Sequence, residues 1–334
     1  MSTLYAWGDN GYGQLGLGDT DNRTTPTEVS SGWDTVVAGD YHSFGLKGDT
    51  LYAWGDNGYG QLGLGDTDDR ATPTEVSSGW DMVVAGSYHS LGLKSGTLYA
   101  WGRNWSGRLG LGDVNHRATP TEVSSGWDMV VAHNHSLGLK GGTLYAWGDN
   151  SYGGLGLGDT ARRTTPTEVS SGWDTVVAGR FHSLGLKGDT LYAWGRNLYG
   201  QLGLGDNTDR YTPTEVSSGW DMVVAGGGHS LGLKGGTLYA WGHNWYGQLG
   251  LGDTDNTTTP TEVSSGWDTV IAGDYYSFGL KGDTPYNIYN IHVKKDGAWL
   301  GANFTHVKRL GTWLPVSGRW VKRGGVWIEM GVEE

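Results

Sequence analysis

Histidine is the residue whose type and spacing first indicate chemistry in this chain. It recurs at nearly constant intervals and gives way to tyrosine at the end of the series: His42, His89, His135, His182, His229 and Tyr276. Imidazoles can bind transition metals or act as general acids and bases. Each one is separated from the next by a whole repeat, however, which argues against a shared metal ion. We predict buried imidazoles that are hydrogen-bonded to the backbone.

Two loop segments also resemble chemical motifs. The segment GDTDN (Gly18–Asn22) carries oxygen ligands of the calcium type, but only its first aspartate recurs in the equivalent segments GDTDD, GDVNH, GDTAR, GDNTD and GDTDN. Calcium needs several oxygen ligands at once, so we do not expect a calcium site to recur in every copy. A calcium site in a single copy stays open. The glycine-rich GYGQLGLGD lacks the GK[ST] ending and the following helix of a phosphate loop.

Catalysis has little support elsewhere in the sequence. The chain has no cysteine, which excludes disulfides, thiolate metal sites and cysteine nucleophiles. No Ser-His-Asp set differs from the repeat background, and an enzyme such as a lyase would need a polar cluster that does. We therefore expect no enzymatic activity, no catalytic residue, no metal and no cofactor.

The elements that position these residues are copies of one segment. The copies open at Leu4, Leu51, Leu98, Leu144, Leu191 and Leu238 with a period of 47 residues, shortened by one in the third. Each contains short β-type segments, namely WDTVVAG, HSFGLK, LYAWG and TPTEV in the first copies, and none shows helical periodicity. Four short strands per repeat indicate a β-propeller blade. We predict strands A (33–39), B (42–47), C (the next LYAWG) and D (TPTEV).

The phase of the repeat predicts how the ring is completed. The chain begins in the middle of a blade, at LYAWG, and the sixth copy ends after strand B. We expect residues 267–281 to pair with residues 4–29 in one shared blade, which removes the last free edges. The expected fold is all-β: a six-bladed propeller over residues 1–284, followed by a small hairpin domain over residues 285–334.

The repeat resembles a known family. The segments WGDNGYGQLGLGD, TPTEV, VVAGDYHSFGLKGDT and LYAWG are similar to the repeat of the regulator of chromosome condensation (RCC1) family, and the resemblance covers residues 4–284. It implies a propeller, usually with seven blades. Such propellers serve as nucleotide-exchange factors, ubiquitin-ligase modules and a β-lactamase inhibitory protein, so the fold does not settle the function.

Differences between copies indicate where a partner would bind. They concentrate at residues 9–12, 20–24 and 40–41 of the first copy, whereas the SSGW link at the opposite end of the blade never changes. Drift at exposed turns is the alternative, but it predicts change at both ends. Arginine and aromatic residues on loops are typical of binding surfaces. The expected ligand-binding face is Arg103, Trp105, His133, Asn134, Arg180, Phe181, Arg196, Tyr199, His243, Trp245 and Tyr275.

Charge limits the class of partner. Residues 1–284 hold 16 Lys and Arg against 31 Asp and Glu, a net charge of −15, whereas residues 285–334 carry +3. An acidic propeller repels nucleic acid and anionic membranes. The segment MSTLYAWG lacks the basic stretch and the apolar core of a signal peptide, and we find no apolar run long enough to cross a membrane. We expect a product made in the cytoplasm, without nucleic-acid binding or membrane insertion.

The tail has its own period of 14 residues, in VKKDGAW, VKRLGTW and VKRGGVW. Glycine-containing turns between β-formers predict hairpins. So small a domain would need the propeller, another subunit of a homo-oligomer or a larger particle to cover its apolar residues. The motif resembles hairpin repeats that end phage head and tail proteins. The predicted attachment or oligomer contacts are Trp299, Trp313, Trp320 and Trp327.

Three functions were weighed. The favoured one is a non-catalytic virion protein, a phage decoration or fibre component. Its tail would bind other virion proteins, and its propeller face would bind a host-surface carbohydrate or protein. The alternative is an intracellular RCC1-like interaction module, regulator or inhibitor of a partner enzyme, which would be cytoplasmic. An exchange factor would need a basic chromatin-binding region, and the acidic propeller lacks one. The third function, an enzyme, lacks an acid–base cluster.

Overall fold

The computed structural model describes residues 2–281 and, in the tail, the backbone of four short strands. Its strands, numbered in chain order, are β1 (Ser2–Gly8), β2 (Arg23–Trp33), β3 (Thr35–Ala38), β4 (His42–Lys47), β5 (Thr50–Gly55), β6 (Arg70–Ser77), β7 (Met82–Ala85), β8 (His89–Lys94), β9 (Thr97–Gly102), β10 (Arg117–Ser125), β11 (Met129–Ala132), β12 (His135–Lys140), β13 (Thr143–Gly148), β14 (Arg163–Ser170), β15 (Thr175–Ala178), β16 (His182–Lys187), β17 (Thr190–Gly195), β18 (Arg210–Ser217), β19 (Met222–Ala225), β20 (His229–Lys234), β21 (Thr237–Gly242), β22 (Thr257–Ser265), β23 (Thr269–Ala272), β24 (Ser277–Leu280), β25 (His306–Arg309), β26 (Thr312–Pro315), β27 (Trp320–Arg323) and β28 (Val326–Glu329). The described residues contain no helix able to cross a membrane.

The strands fall into two compact units. The first comprises Met1–Asn150 with Ala161–Ser171, and the second comprises Ser151–Thr160 with Gly172–Glu334. The first unit contains β1 to β14, and the second contains β15 to β28. The division at residue 284 between a propeller and a tail domain stays a prediction.

Four-stranded antiparallel sheets are the main element of both units. The first unit has three, formed by β3 to β6, β7 to β10 and β11 to β14; the second has two, formed by β15 to β18 and β19 to β22. In each sheet the four strands pair in chain order. Strands A, B, C and D of the predicted blade are therefore confirmed, with D longer than its TPTEV core.

Each sheet is held by a regular central ladder. Strands β4 and β5 pair without a break, with His42 opposite Gly55 and Leu46 opposite Leu51. The outer pair, β5 and β6, contains bulges, which raise local twist. Residues 42–46 of β4 are all buried, so the ladder lies inside the core.

The core forms where neighbouring sheets of one unit face each other. In the first unit, Phe44 and Leu51 pack against Trp80 and Trp101 of the following sheet. The second unit repeats this arrangement with Leu184 and Leu191 against Trp220 and Trp241. Each sheet therefore buries its apolar side chains only by stacking on its neighbour, as repeat architectures require.

The pairing predicted for the shared blade involves strands of both units and stays a prediction. Strands β1 and β2 make a two-stranded sheet, and β23 and β24 make another. Trp7 of β1 is 58% exposed and Phe278 of β24 is 60% exposed, although their equivalents Trp54 and Phe44 are almost completely buried. The last copy also differs at Tyr276, which replaces the histidine that binds the next copy in four earlier repeats.

Two of the predicted tail hairpins are present. Strand β25 pairs with β26, and β27 pairs with β28. The predicted turn residues between these strands lie outside the described residues. The first predicted hairpin, around Asp296, lies outside the described residues.

Candidate functional site

The turn between strands A and B and the start of the loop between strands C and D meet at one end of each sheet. The amide of Asp56 donates to the carbonyl of Tyr41 at 2.9 Å, and Arg103 bonds Tyr88 in the same way. In the second unit, Arg196 bonds Phe181 and His243 bonds Gly228, both at 2.9 Å. In these four sheets the variable positions are therefore neighbours, as predicted.

A buried asparagine gives each of these loops its shape. Asn104 is fully buried and donates through Nδ2 to the backbone and side-chain oxygens of Asp113 at 3.0 and 3.1 Å. Its Oδ1 accepts from the amide of Leu109 at 2.9 Å. This asparagine is the same in all six copies. Variable side chains thus project from a fixed loop.

The invariant aspartate of the calcium-like segment has a cationic partner inside its own loop. Arg70 Nη2 lies 2.6 Å from Asp66 Oδ2, and the hydrogen bond from Arg70 lowers the pKa of that carboxyl. Equivalent pairs join Asp19 to Arg23, Asp113 to Arg117 and Asp206 to Arg210. An arginine therefore takes the place that a calcium ion would need in these copies.

Aromatic rings surround Arg103 in the first unit. Its Cζ lies 3.9 Å from the ring centroid of Trp105, 5.0 Å from that of Tyr88 and 5.1 Å from that of Tyr59. Tyr88 also stacks on Tyr41 at 5.2 Å, and burial raises the pKa of Tyr88 to about 12. Trp105 remains 53% exposed. These five residues are called the Arg103 cluster below.

His133 and Asn134 occupy the shortened turn of the third copy. The Nδ1 atom of His133 lies 3.0 Å from Ser87 Oγ, and the His133 carbonyl accepts from the Ser87 amide at 3.2 Å. Both residues are half-buried. These contacts tie the turn to the preceding copy.

A second aromatic group, the Trp245 cluster, comprises Tyr199, His243, Trp245, Tyr246 and Tyr275. Tyr199 lies 4.6 Å and Trp245 lies 4.9 Å from the His243 ring, while Tyr246 and Tyr275 pack at 5.3 Å. Trp245, Tyr246 and Tyr275 are 62%, 69% and 51% exposed. His243 was predicted to face a ligand, but these rings bury it. Burial lowers its pKa, and Gln248 Nε2 bonds its Nδ1 at 2.7 Å.

The remaining predicted residues form the Arg196 cluster of the second unit. Arg196 Cζ lies 4.6 Å from the Tyr152 ring and 5.6 Å from the Phe181 ring. Arg180 lies beside Phe181 at 5.7 Å and forms an ion pair of 3.6 Å with Asp274. The second unit thus presents two groups of loop residues, one rich in aromatic rings and one containing two arginines.

The recurring histidines are structural, but their partner differs from the prediction. His42 Nε2 lies 3.0 Å from Ser90 Oγ of the following copy, and Ser90 Oγ donates to the carbonyl of Gln61 at 2.8 Å. Since the serine hydroxyl donates its one hydrogen bond to that carbonyl, it must accept from His42, which therefore donates through Nε2. The same contact joins His89 to Ser136, His182 to Ser230 and His229 to Ser277.

Several loop residues were missed from the sequence. Tyr59, Tyr152 and Tyr246 complete the clusters, and they share a position that is tyrosine in five of the six copies. Arg108 was missed for another reason. It replaces a glutamine of other copies, a departure that comparison of the copies at that position would have found.

The predicted attachment residues of the tail are only partly placed. Trp299 lies outside the described residues. Trp313, Trp320 and Trp327 belong to β26, β27 and β28, but their side chains also lie outside the described part. Their role in attachment or oligomer formation stays a prediction.

Comparison with solved structures shows the fold. Human WBSCR16 is 22% identical, with a TM-score of 0.74 over 83% of this chain and 80% of that chain. Prp20p from Saccharomyces cerevisiae is 24% identical, with a TM-score of 0.74 over 84% and 79%. Yeast RCC1 (Prp20), solved with Kap60, is 23% identical, with a TM-score of 0.75 over 84% and 77%. No curated protein matches the sequence.

The repeat itself matches a family profile six times. The profile of the Regulator of chromosome condensation (RCC1) repeat covers residues 2–46, 49–93, 95–137, 141–186, 189–233 and 235–280. The predicted all-β fold class, a propeller of six blade repeats, is confirmed by these matches and by the similar structures. The chain belongs to the Regulator of chromosome condensation (RCC1) repeat family.

Proposed function

We propose that the chain is a non-catalytic binding protein whose loop clusters hold a partner protein. The observation that carries this proposal is that exposed aromatic side chains pack against neighbouring aromatic rings, which hold them in place. Trp105 and Trp245 are more than half exposed, yet each rests on other rings of its cluster. A rigid aromatic side chain loses little conformational entropy on binding, so it contributes more affinity than a mobile one.

Two solved structures of one similar protein support a protein as partner. The Prp20p structure is described together with binding to Gsp1p and histones, and yeast RCC1 (Prp20) was solved bound to Kap60. Those statements concern the yeast protein. They make a protein ligand the first choice for this chain, ahead of the host-surface carbohydrate that the sequence also left open.

The finer part of the proposal places the chain in a virion as a phage decoration or fibre component. Its support is the tail, where two hairpins of the VK-x-x-G-x-W type follow the repeats. The tail would bind other virion proteins, and the loop clusters would bind a protein on the host surface. The chain would be made in the host cytoplasm and reside in the particle.

The experiment replaces Trp105, Arg196 and Trp245 with alanine together. We expect the triple variant to keep the circular dichroism spectrum and the melting temperature within a few degrees, because its targets lie on loops. Binding to cells of the phage's host should be lost. The control is Tyr211→Ala, which removes an aromatic residue that is 44% exposed and lies on strand β18. Equal binding by both variants would contradict the proposal.

The virion location has a separate test. Purified particles are analysed by mass spectrometry for the chain, first intact and then truncated after Thr284. The proposal expects the intact chain in particles and the truncated chain in solution only. If the chain is absent from particles while the triple variant still loses a soluble partner, the adhesion role is wrong and the interaction role stands.

A further inference from the structure

The third repeat departs from the others at two positions of one loop. In the first copy, Gln14 Nε2 donates to Asp9 Oδ2 at 2.8 Å, and Gln14 Oε1 accepts from the Tyr12 amide at 2.8 Å. In the sixth copy, Gln248 Nε2 bonds His243 Nδ1 at 2.7 Å. In these two copies the two positions therefore satisfy each other as donor and acceptor.

Arginine occupies both positions in the third copy, as Arg103 and Arg108. An arginine side chain has donors and no acceptor, so the two cannot hydrogen-bond each other. The backbone around them keeps the usual shape. Gly107 bonds the Asn104 carbonyl at 2.9 Å, and Gly110 bonds the Gly107 carbonyl at 3.0 Å. A donor–acceptor pair has become a donor–donor pair in an unchanged loop.

Three guanidinium nitrogens of this pair are buried without acceptors in the described chain. Arg108 is only 5% exposed, yet its Nε and Nη1 atoms have no hydrogen-bond partner in the described chain. The Nε of Arg103 is buried and unpaired as well. Buried charged donors without acceptors cost free energy, and that cost disappears when an acceptor is supplied. The amide of Ser106 also loses the acceptor that the glutamine provides in other copies.

Arg108 is held in place by its backbone. Its carbonyl accepts from Trp147 Nε1 at 2.8 Å and from Ser136 Oγ at 2.9 Å. Burial first, and the charge of Arg103 second, lower the pKa of Arg108 to about 10, so it stays cationic at neutral pH. The Asp149 carboxylate and the Tyr88 hydroxyl oppose this shift, whereas His89 and His116 have lowered pKa values and stay neutral.

We propose that Arg103, Arg108 and the Ser106 amide bind the carboxylate of an acidic side chain on the partner protein. The choice of a protein ligand rests on the proposed function. A carboxylate supplies two acceptor oxygens and one negative charge, which matches guanidinium donors. Trp105, stacked on Arg103, shields one side of the site and offers apolar contact to the neighbouring residue of the ligand.

The test titrates the purified full-length chain with an acetylated and amidated hexaglutamate peptide by calorimetry, at constant ionic strength. Hexaglutamine, which lacks only the charges, is the matched ligand control. We expect hexaglutamate to bind and hexaglutamine to be at least roughly ten-fold weaker, since each charged hydrogen bond contributes more than a neutral one. Equal binding of the two peptides would overturn the proposal.

The chain supplies its own control variant. R103D/R108Q restores the Asp–Gln pair of the first two copies, so it should fold at least as well as the natural chain while hexaglutamate binding falls roughly ten-fold or more. Tyr211→Ala, which removes an exposed aromatic side chain from strand β18 outside the loop clusters, should leave hexaglutamate binding unchanged. Binding that survives in R103D/R108Q would place the peptide elsewhere and reject the site.

A sialylated oligosaccharide forms the last arm. If it binds with the same sensitivity to R103D/R108Q and hexaglutamate does not bind, the ligand is an acidic sugar and the protein-carboxylate proposal is wrong. None of these titrations uses a natural partner. A failed titration therefore leaves the proposed function standing, and a failed cell-binding assay leaves a positive titration unaffected.

Discussion

At the scale of single residues, buried imidazoles make the repeats sensitive to acid. His42, His89, His135, His182 and His229 are almost completely buried. Burial lowers the pKa of His42 and His135 to about 3 and that of His229 to about 4. In the unfolded chain these side chains return to a pKa near 6.5. Protonation below that value therefore favours unfolding.

We expect the free energy of unfolding to be constant above the unfolded pKa and to fall as the pH drops from about 6.5 towards 4. Each such histidine contributes a slope of roughly 1.4 kcal/mol per pH unit. The aspartates paired with arginine have pKa values below the ordinary 3.8, so their protonation lowers the free energy of unfolding only when the pH falls below that value. Urea titrations at several pH values measure the slope. His42→Gln keeps a donor without a titrating group, so an unchanged slope would exclude His42 as a source.

The glycine in the middle of strand B leaves room for a tryptophan side chain, and adding one methyl group there tests how tightly the core is packed. A Cβ on Gly92 would lie 2.5 Å from Cζ3 of Trp80, an overlap that the core must relieve by moving the indole. We expect Gly92→Ala to lower the free energy of unfolding by about 1–3 kcal/mol. Gly11→Ala is the control, because its nearest atom would be Asp9 Oδ1 at 3.9 Å. Thermal or urea denaturation of the two variants should separate them.

At the scale of elements, the loop between strands C and D depends on its buried asparagine. The loop has no partner strand, so the asparagine side chain supplies hydrogen bonds to its backbone groups. The variable residues belong to this same loop.

Asn104→Ala should therefore cost about 1–3 kcal/mol, since Asp113 and the Leu109 amide lose their partner. Amide exchange should also rise across residues 103–116. Asn115→Ala, in the same loop, removes an exposed side chain and should change neither quantity. Denaturation and hydrogen-exchange mass spectrometry make the comparison. Similar losses in both variants would show that the loop is not organised by Asn104.

At the scale of the whole molecule, the two-stranded sheets differ from the complete blades. Tyr5 and Trp7 of β1, and Phe278 of β24, are about half exposed or more, whereas equivalent residues in four-stranded sheets are shielded by neighbours. Stability should therefore be uneven along the chain, with the lowest values in β1, β2, β23 and β24.

Hydrogen exchange measures this directly. We expect faster exchange in Ser2–Gly8 and Ser277–Leu280 than in the equivalent strands Thr50–Gly55 and His89–Lys94. Equal protection would mean that the half-sheets find strand partners in solution. Repeating the measurement over a range of protein concentrations would show whether such a partner is a second copy.

The repeat period predicts most of the fold, because every copy carries the same strand and turn residues. Strand B, for example, spans His42–Lys47 as predicted. The clusters were only partly predictable. Arg103 and Trp105 were identified as variable, but the burial of His243 depends on rings from two copies, which a single loop sequence does not show. Arg108 was overlooked because its importance lies in a missing acceptor. The exposure of the two-stranded sheets depends on contacts beyond any one copy.

The histidine–serine contact has a genetic consequence. Each contact runs from one copy to the next in the same direction, from His42 to Ser90 and from His89 to Ser136. A gene that gains or loses an internal 47-residue copy still encodes a matching histidine and serine at the new junction. Unequal recombination can therefore change the number of copies without losing the histidine–serine hydrogen bond at the new junction. The exception is the copy with Tyr276, which cannot form this hydrogen bond to a following copy.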